Sequence, residues 1–186
     1  MGVIVSMLRG VNLGPHRRIK MDALREVYES LGLKDVQTYV QSGNVVFRSS
    51  GRDLPKLAKR IEAAFEKKFG FRSDVILRTA AEMRDIIARN PFATRSGIEP
   101  NRYLVTFLAA DPGQELRAKV LAIKADPEEL HFDGSEMYIY FPNGLARPKL
   151  SLPAIEKILK ITGTGRNWNS VLKLLELAEN AENPAR

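Results

Sequence analysis

The sequence predicts an α+β fold with antiparallel sheets, laid out as two split βαβ units in series. Three observations carry that expectation. An apolar run rich in β-branched residues, Val3-Ile-Val-Ser-Met-Leu8, is followed by a helical stripe and then by two alternating segments joined across Gly43. A second apolar run, Tyr103-Leu-Val-Thr-Phe-Leu108, restarts the same order of elements. Hydrophobic residues at 44% and charged residues at 27% match a chain that packs a core, which argues against disorder, collagen and a coiled-coil rod.

The elements follow in order. Segment 3–8 is almost unbroken in hydrophobicity, the pattern of a strand covered on both faces. Met21, Leu24, Val27, Tyr28 and Leu31 recur at helical spacing, and Gly32 ends that helix. Residues 36–41 and 45–48 alternate around Ser42-Gly43-Asn44, which supplies the positive φ of a tight hairpin. Leu54, Leu57, Ala58, Ile61, Ala64, Phe65 and Phe69 form the clearest amphipathic stripe. Asp53 stands as its N-cap, and Pro55 lies in the first turn, where no intrahelical N–H is needed. Segment 74–78 is a fourth strand, and Thr79 with Glu82 has the spacing of a capping box that opens a short helix ending before Asn90-Pro91.

In the second half, 103–108 reads as a strand, and Asp111-Pro-Gly starts a helix through Ile123. Segments 129–133 and 137–141 read as a hairpin about Gly134-Ser135, with helices at 153–161 and 167–182. Both halves therefore read as ferredoxin-like split βαβ units, each burying one sheet face under its helices. The second unit is incomplete, ending in two helices where the first has a closing strand, and a sheet edge borrowed from the first unit is the expected remedy. The expected division is 1–92 for the first subdomain and 93–186 for the second, the two folding as one cooperative unit.

Zero Cys excludes disulfides, thiolate metal ligands and a Cys nucleophile. No run approaches the ~20 apolar residues that span a bilayer, and the N-terminal apolar run is too short for a signal peptide, so a cytoplasmic chain without a membrane partner is expected. Residues 1–90 hold 17 Lys and Arg against 10 Asp and Glu, whereas 91–186 hold 12 of each, so the net charge of +7 belongs to the first half. A pI of 9.7 suits a polyanion partner, although Lys-rich helix faces also serve solubility alone.

Three segments can carry chemistry. Residues 9–20, Arg-Gly-Val-Asn-Leu-Gly-Pro-His-Arg-Arg-Ile-Lys, join a buried strand to a helix and contain Arg9, Asn12, Gly14, His16 and Lys20 as candidate ligand-binding residues. A loop at the carboxyl end of a central strand, running into a helix, is where backbone N–H groups can hold an anion. It matches neither the Walker pattern nor the three-glycine dinucleotide pattern, so no cofactor is expected, and a long turn with solvated cations explains it equally well. Gln41, Ser42, Gly43 and Asn44 offer hydroxyl and amide donors at the hairpin tip, and turn chemistry alone also explains them. Thr162-Gly-Thr-Gly-Arg-Asn-Trp reads as another helix entry: Asn167 is a natural cap and Trp168 a core anchor, while Thr164 and Arg166 suit a phosphate or carboxylate.

Leu8-Arg-Gly-Val-Asn-Leu-Gly14 with Lys20-Met21, then Gln41-Ser-Gly-Asn-Val-Val-Phe47, then Arg166-Asn-Trp-Asn with Val171-Leu-Lys-Leu174, together resemble the domain of unknown function 1697 family along essentially the whole chain. The resemblance implies a bacterial-type cytosolic protein of two ferredoxin-like subdomains, with no settled activity. It picks out Arg9, Gly10, Asn12, Gly14, Lys20, Ser42, Gly43, Asn44, Arg166, Asn167 and Trp168. Pro15 stands where the family pattern has a second Gly, which argues against a backbone wrapped closely round a ligand there.

Binding of a small anionic or phosphate-bearing ligand by the Arg9 loop, the Ser42 hairpin and the Arg166 helix entry, converging on one pocket, is the favoured reading. Two alternatives stay open. One is contact with a nucleic-acid backbone through the basic first half. The other is an enzyme in which Arg9, Lys20 and Arg166 stabilise an anionic intermediate and His16 is the general acid. With only His16 and His131, a paired-His metal site and a Ser-His-Asp triad have no good candidates, and no metal is expected. The oligomeric state is not legible.

Overall fold

The computed structural model describes residues 1–15 and 17–183. Among the described residues, eight strands, six α-helices and a short 3-10 helix (Pro100–Arg102) follow along the chain: β1 (Gly2–Leu8), α1 (Met21–Ser30), β2 (Lys34–Tyr39), β3 (Asn44–Ser49), α2 (Leu54–Phe69), β4 (Val75–Thr79), α3 (Ala80–Ala88), β5 (Tyr103–Leu108), α4 (Gly113–Leu121), β6 (Glu129–Asp133), β7 (Glu136–Tyr140), α5 (Leu152–Leu159), β8 (Gly163–Asn167) and α6 (Trp168–Glu182). They form two compact units, one of residues 1–84 with 173–186 and one of 85–172. The chain thus passes between units within α3 and again within α6, whereas the sequence suggests a cut at 92/93.

In the first unit the sheet order is β2-β3-β1-β4, all antiparallel, the arrangement a split βαβ unit requires. Leu24, Val27 and Tyr28 of α1 and Leu57, Ile61 and Phe65 of α2 pack with Ile4, Leu8, Val45, Phe47, Val75 and Leu77 of the sheet. Each such side chain contributes about 1.5–3 kcal/mol on burial, against tenths for helix propensity, so the stripe rather than the propensity holds helix to sheet. The Tyr28 hydroxyl reaches the Ser6 hydroxyl at 2.7 Å, which satisfies both buried groups. The predicted caps form: Lys56 N–H donates to Asp53 Oδ1 at 2.9 Å, and Glu82 N–H donates to Thr79 Oγ1 at 3.1 Å while Glu82 Oε2 accepts from Thr79 N–H at 2.7 Å. Arg84 donates to Glu179 at 2.9 Å and also to Glu182, tying α3 to the end of α6 within this unit.

The second unit repeats the topology with the order β6-β7-β5-β8. Contrary to the sequence expectation, this unit is complete and needs no borrowed edge, because Gly163–Asn167 pairs antiparallel with β5, Leu108 opposite Gly163 and Thr106 opposite Gly165. The sequence Gly-Thr-Gly-Arg-Asn hides the strand because its buried positions are Gly163, Thr164 and Arg166, none of them apolar and large. A Cβ on Gly163 would stand 2.8 Å from Leu108 Cδ2, and one on Gly165 3.1 Å from Leu104 Cδ2, so neighbouring leucines fill the space that apolar side chains would otherwise mark. Leu108, Val120, Met137, Ile139, Phe141, Leu150, Ile155 and Leu159 form the helix-side core. Elsewhere in this unit the Tyr138 hydroxyl donates to the Ile86 carbonyl at 2.9 Å, the Tyr103 hydroxyl to Asn90 Oδ1 at 2.7 Å, and Trp168 stacks on Tyr103 at 4.9 Å. Among the described residues no helix is long and apolar enough to cross a membrane.

Candidate functional site

The loop after β1 is fastened before it turns outward. Leu8 N–H donates to the Gly43 carbonyl at 2.9 Å, Arg9 N–H donates to the Asp74 carbonyl at 2.9 Å, and the Ser73 hydroxyl donates to the Arg9 carbonyl at 2.8 Å. Gly10, Asn12 and Gly14 then all have positive φ, at 68°, 55° and 77°, so the backbone winds on itself. Asn12 is the knot. Its N–H donates to the Arg17 carbonyl at 2.8 Å, its Nδ2 donates to the Gln41 carbonyl at 2.6 Å, and its Oδ1 accepts from Ile19 N–H at 2.8 Å. One amide side chain therefore closes the loop and joins it to the hairpin, and asparagine is among the few residues that tolerate this backbone conformation.

The hairpin tip is equally specified. Gly43 has φ 76°, and a Cβ there would lie 2.5 Å from Val11 Cγ2 and 2.9 Å from Leu8 Cβ, so the hairpin and the loop meet at a contact only glycine permits. Asn44 is buried, and its Nδ2 donates to the Tyr39 carbonyl at 3.2 Å and the Ser42 hydroxyl at 2.8 Å. These bonds serve the turn itself. Buried Val11 and Ile19 anchor the loop from below, and Arg17 lies over the Phe71 ring at 5.5 Å.

Between loop and hairpin lies an open depression of about 560 Å³ lined by Asn12, Arg18, Ile19, Lys20 and Gln41. Asn12 and Lys20 are sequence candidates. Gln41 leads the hairpin motif that the sequence offers as donors, whereas Arg18 is not among the residues the sequence singles out, although a loop of four cations without a carboxylate points to it. Neither Arg18 nor Lys20 has a carboxylate partner among the described residues, while Arg25, Lys59, Lys68 and Arg72 of the same unit are paired with Asp22, Glu62, Glu26 and Glu66. Helix α1 begins beside Lys20 with no side-chain cap. Gly14 is exposed and lies outside the lining; His16 lies outside the described residues.

Thr164, Arg166 and Asn167 belong to the second unit, on β8 rather than on a helix-entry loop. Arg166 is 7% exposed, and its Nη1 donates to Thr164 Oγ1 and to the Gly165 carbonyl, both at 2.8 Å. Burial pulls its guanidinium down to about 10. Asn167 Oδ1 accepts from Ser170 N–H at 2.8 Å, the cap its sequence position suggests. The central strands of this unit carry Tyr103, Phe107, Tyr138 and Tyr140, but all four are buried and none offers a face for base stacking. Among the described residues no group of three or more His, Cys, Asp or Glu could hold a metal ion.

No curated protein matches the chain. The solved structure of the conserved bacterial protein SP0830 from Streptococcus pneumoniae is similar over 96% of this chain and 99% of that one, with a TM-score of 0.71 and 22% identity, a likeness of fold alone. The model of a family described as protein of unknown function (DUF1697) matches residues 1–138, a stretch that contains the whole loop and hairpin just described. The chain belongs to that family of proteins of unknown function.

Proposed function

We propose that this protein binds a small anionic, phosphate-bearing ligand in the depression between the 9–20 loop and the hairpin tip. The observation that carries the reading is the pair Arg18 and Lys20, exposed beside a depression, without a carboxylate partner among the described residues, on a loop that Asn12 holds in one conformation. Holding an exposed guanidinium and an ammonium near each other is unfavourable until an anion arrives, and a phosphate answers both while accepting further bonds from amide groups such as Gln41. The uncapped start of α1 adds favourable partial charge. Binding is the form proposed, since the described residues that line the depression are two cations, two amides and Ile19.

A thermal-shift series with inorganic phosphate, glycerol phosphate, sugar phosphates, nucleotides and short oligonucleotides tests this. A ligand at a hundred times its Kd stabilises the fold by about 2.7 kcal/mol, and Arg18→Ala combined with Lys20→Ala should remove the shift. A shift only with oligonucleotides, steeply dependent on salt, would favour nucleic-acid contact instead. No shift with any of these would refute the proposal.

A further inference from the structure

We propose that the tip formed by the 9–20 loop and the hairpin turn docks on an anionic lipid surface, with Leu13 and Val40 entering the acyl boundary while Arg18 and Lys20 meet headgroup phosphates. The inference rests on the anion site above and names the source of its phosphate. Leu13 is 74% exposed and Val40 49% exposed, and apart from Met1 they are the only exposed large hydrophobic residues of the first unit among the described residues. They are the immediate chain neighbours of Asn12 and Gln41, which the 2.6 Å Nδ2-to-carbonyl bond joins, so the two residues lie on adjoining turns. Single exposed leucines need no explanation, but Val40 sits where the backbone is also held against preference.

Val40 has φ 49°, a left-handed conformation in which a β-branched residue is strained and Asn or Gly would not be. A turn selected for stability alone would not keep valine there with its side chain in water. The tip's own segments carry charge of one sign: residues 9–20 contain Arg9, Arg17, Arg18 and Lys20 and no Asp or Glu, and residues 36–52 contain no acid either. Apolar side chains ringed by cations are the two signals that peripheral membrane binding combines, each too weak alone. A protein partner would require a shaped complementary surface of about 800 Å² on each side, whereas a bilayer accepts two protruding side chains without one. Leucine and valine give a nucleic acid nothing to stack on. Such contact needs no spanning helix, and the vesicle test below decides between it and the expectation of no membrane partner.

The test is co-sedimentation of the full chain with vesicles of phosphatidylcholine alone and of equimolar phosphatidylcholine and phosphatidylglycerol. Wild type should bind only the anionic vesicles, and less so at high salt. Leu13→Ser combined with Val40→Asn should lower that partition about tenfold or more. Both sites are exposed and Val40→Asn relieves strain, so the variant should fold at least as well as wild type and keep any melting shift produced by glycerol phosphate. Arg18→Ala with Lys20→Ala should lose both responses. Absence of binding to anionic vesicles, or unchanged binding by the Leu13/Val40 variant, would overturn the inference. Equal retention of wild type and that variant on soluble poly-glutamate, without vesicle binding, would overturn it in favour of an acidic macromolecule. A glycerol phosphate shift without vesicle binding removes the lipid surface and leaves the ligand site standing; no response to either removes both.

Discussion

At Gly43 two constraints act on one atom. The left-handed φ disfavours any side chain, and the space a Cβ would take is already filled by Val11 and Leu8. Gly70, at φ 77° with nothing within 4 Å of where a Cβ would stand, carries only the first constraint. Gly70→Ala should therefore cost about 1–2 kcal/mol and Gly43→Ala about 2–4 kcal/mol, the difference being the overpacking, as read by denaturant unfolding. Equal losses would mean that the loop and hairpin are not in firm contact. Asn12→Ala should cost about 1–3 kcal/mol, because it leaves the Ile19 N–H and the Gln41 carbonyl without their partner. It should also abolish ligand-induced stabilisation even though Asn12 carries no charge, since the cations then stand on a loosened loop. Retained stabilisation in Asn12→Ala would separate the loop's conformation from binding.

At the scale of elements, every α-helix and strand but one among the described residues is legible from periodicity, caps and turn residues, and the exception is instructive. Strand β8 has no alternating hydrophobic pattern because its buried residues are Gly163, Thr164 and Arg166, and the apolar side chains beside its glycines are Leu108 and Leu104 of β5. Hydrophobicity is a signal of burial, and here the buried surface belongs to the partner strand. Gly163→Val supplies the better strand former yet should destabilise by about 1–3 kcal/mol, since its side chain would meet Leu108 and Thr106; a stabilised variant would mean that this edge is loosely packed. The same limit applies to the site. Asn12, Lys20 and the Ser42 turn are legible because glycines and amides flag special backbone, whereas Arg18 is one cation among many until the fold places it beside the depression. Arg166, the residue to which charge and flanking glycines point in the second half, is instead a buried group bonded to Thr164.

For the whole molecule, burial pushes the phenols of Tyr28, Tyr103 and Tyr138 above their ordinary value. In the unfolded chain they ionise at about pH 10, so above that pH the folded state holds protons that the unfolded state has lost, and stability falls as pH rises. Arg166 acts in the opposite sense, because its lowered value means the unfolded chain binds the extra proton above about pH 10. Three groups against one give net alkaline unfolding. Phenolate absorbance should show three of the five tyrosines appearing only with the loss of structure; smooth ionisation of all five in a folded protein would contradict the buried cores. Because the first unit includes residues 173–186, a fragment of 1–92 lacks Glu179 and Glu182, the partners of Arg84, and should melt broadly if at all. The most direct measurement of the anion site is a titration of the intact protein with glycerol phosphate followed by backbone amide shifts. Saturable movement at Asn12, Arg18, Ile19, Lys20 and Gln41 is the expected result, and an absence of movement there, or movement confined to residues 163–167, would contradict it.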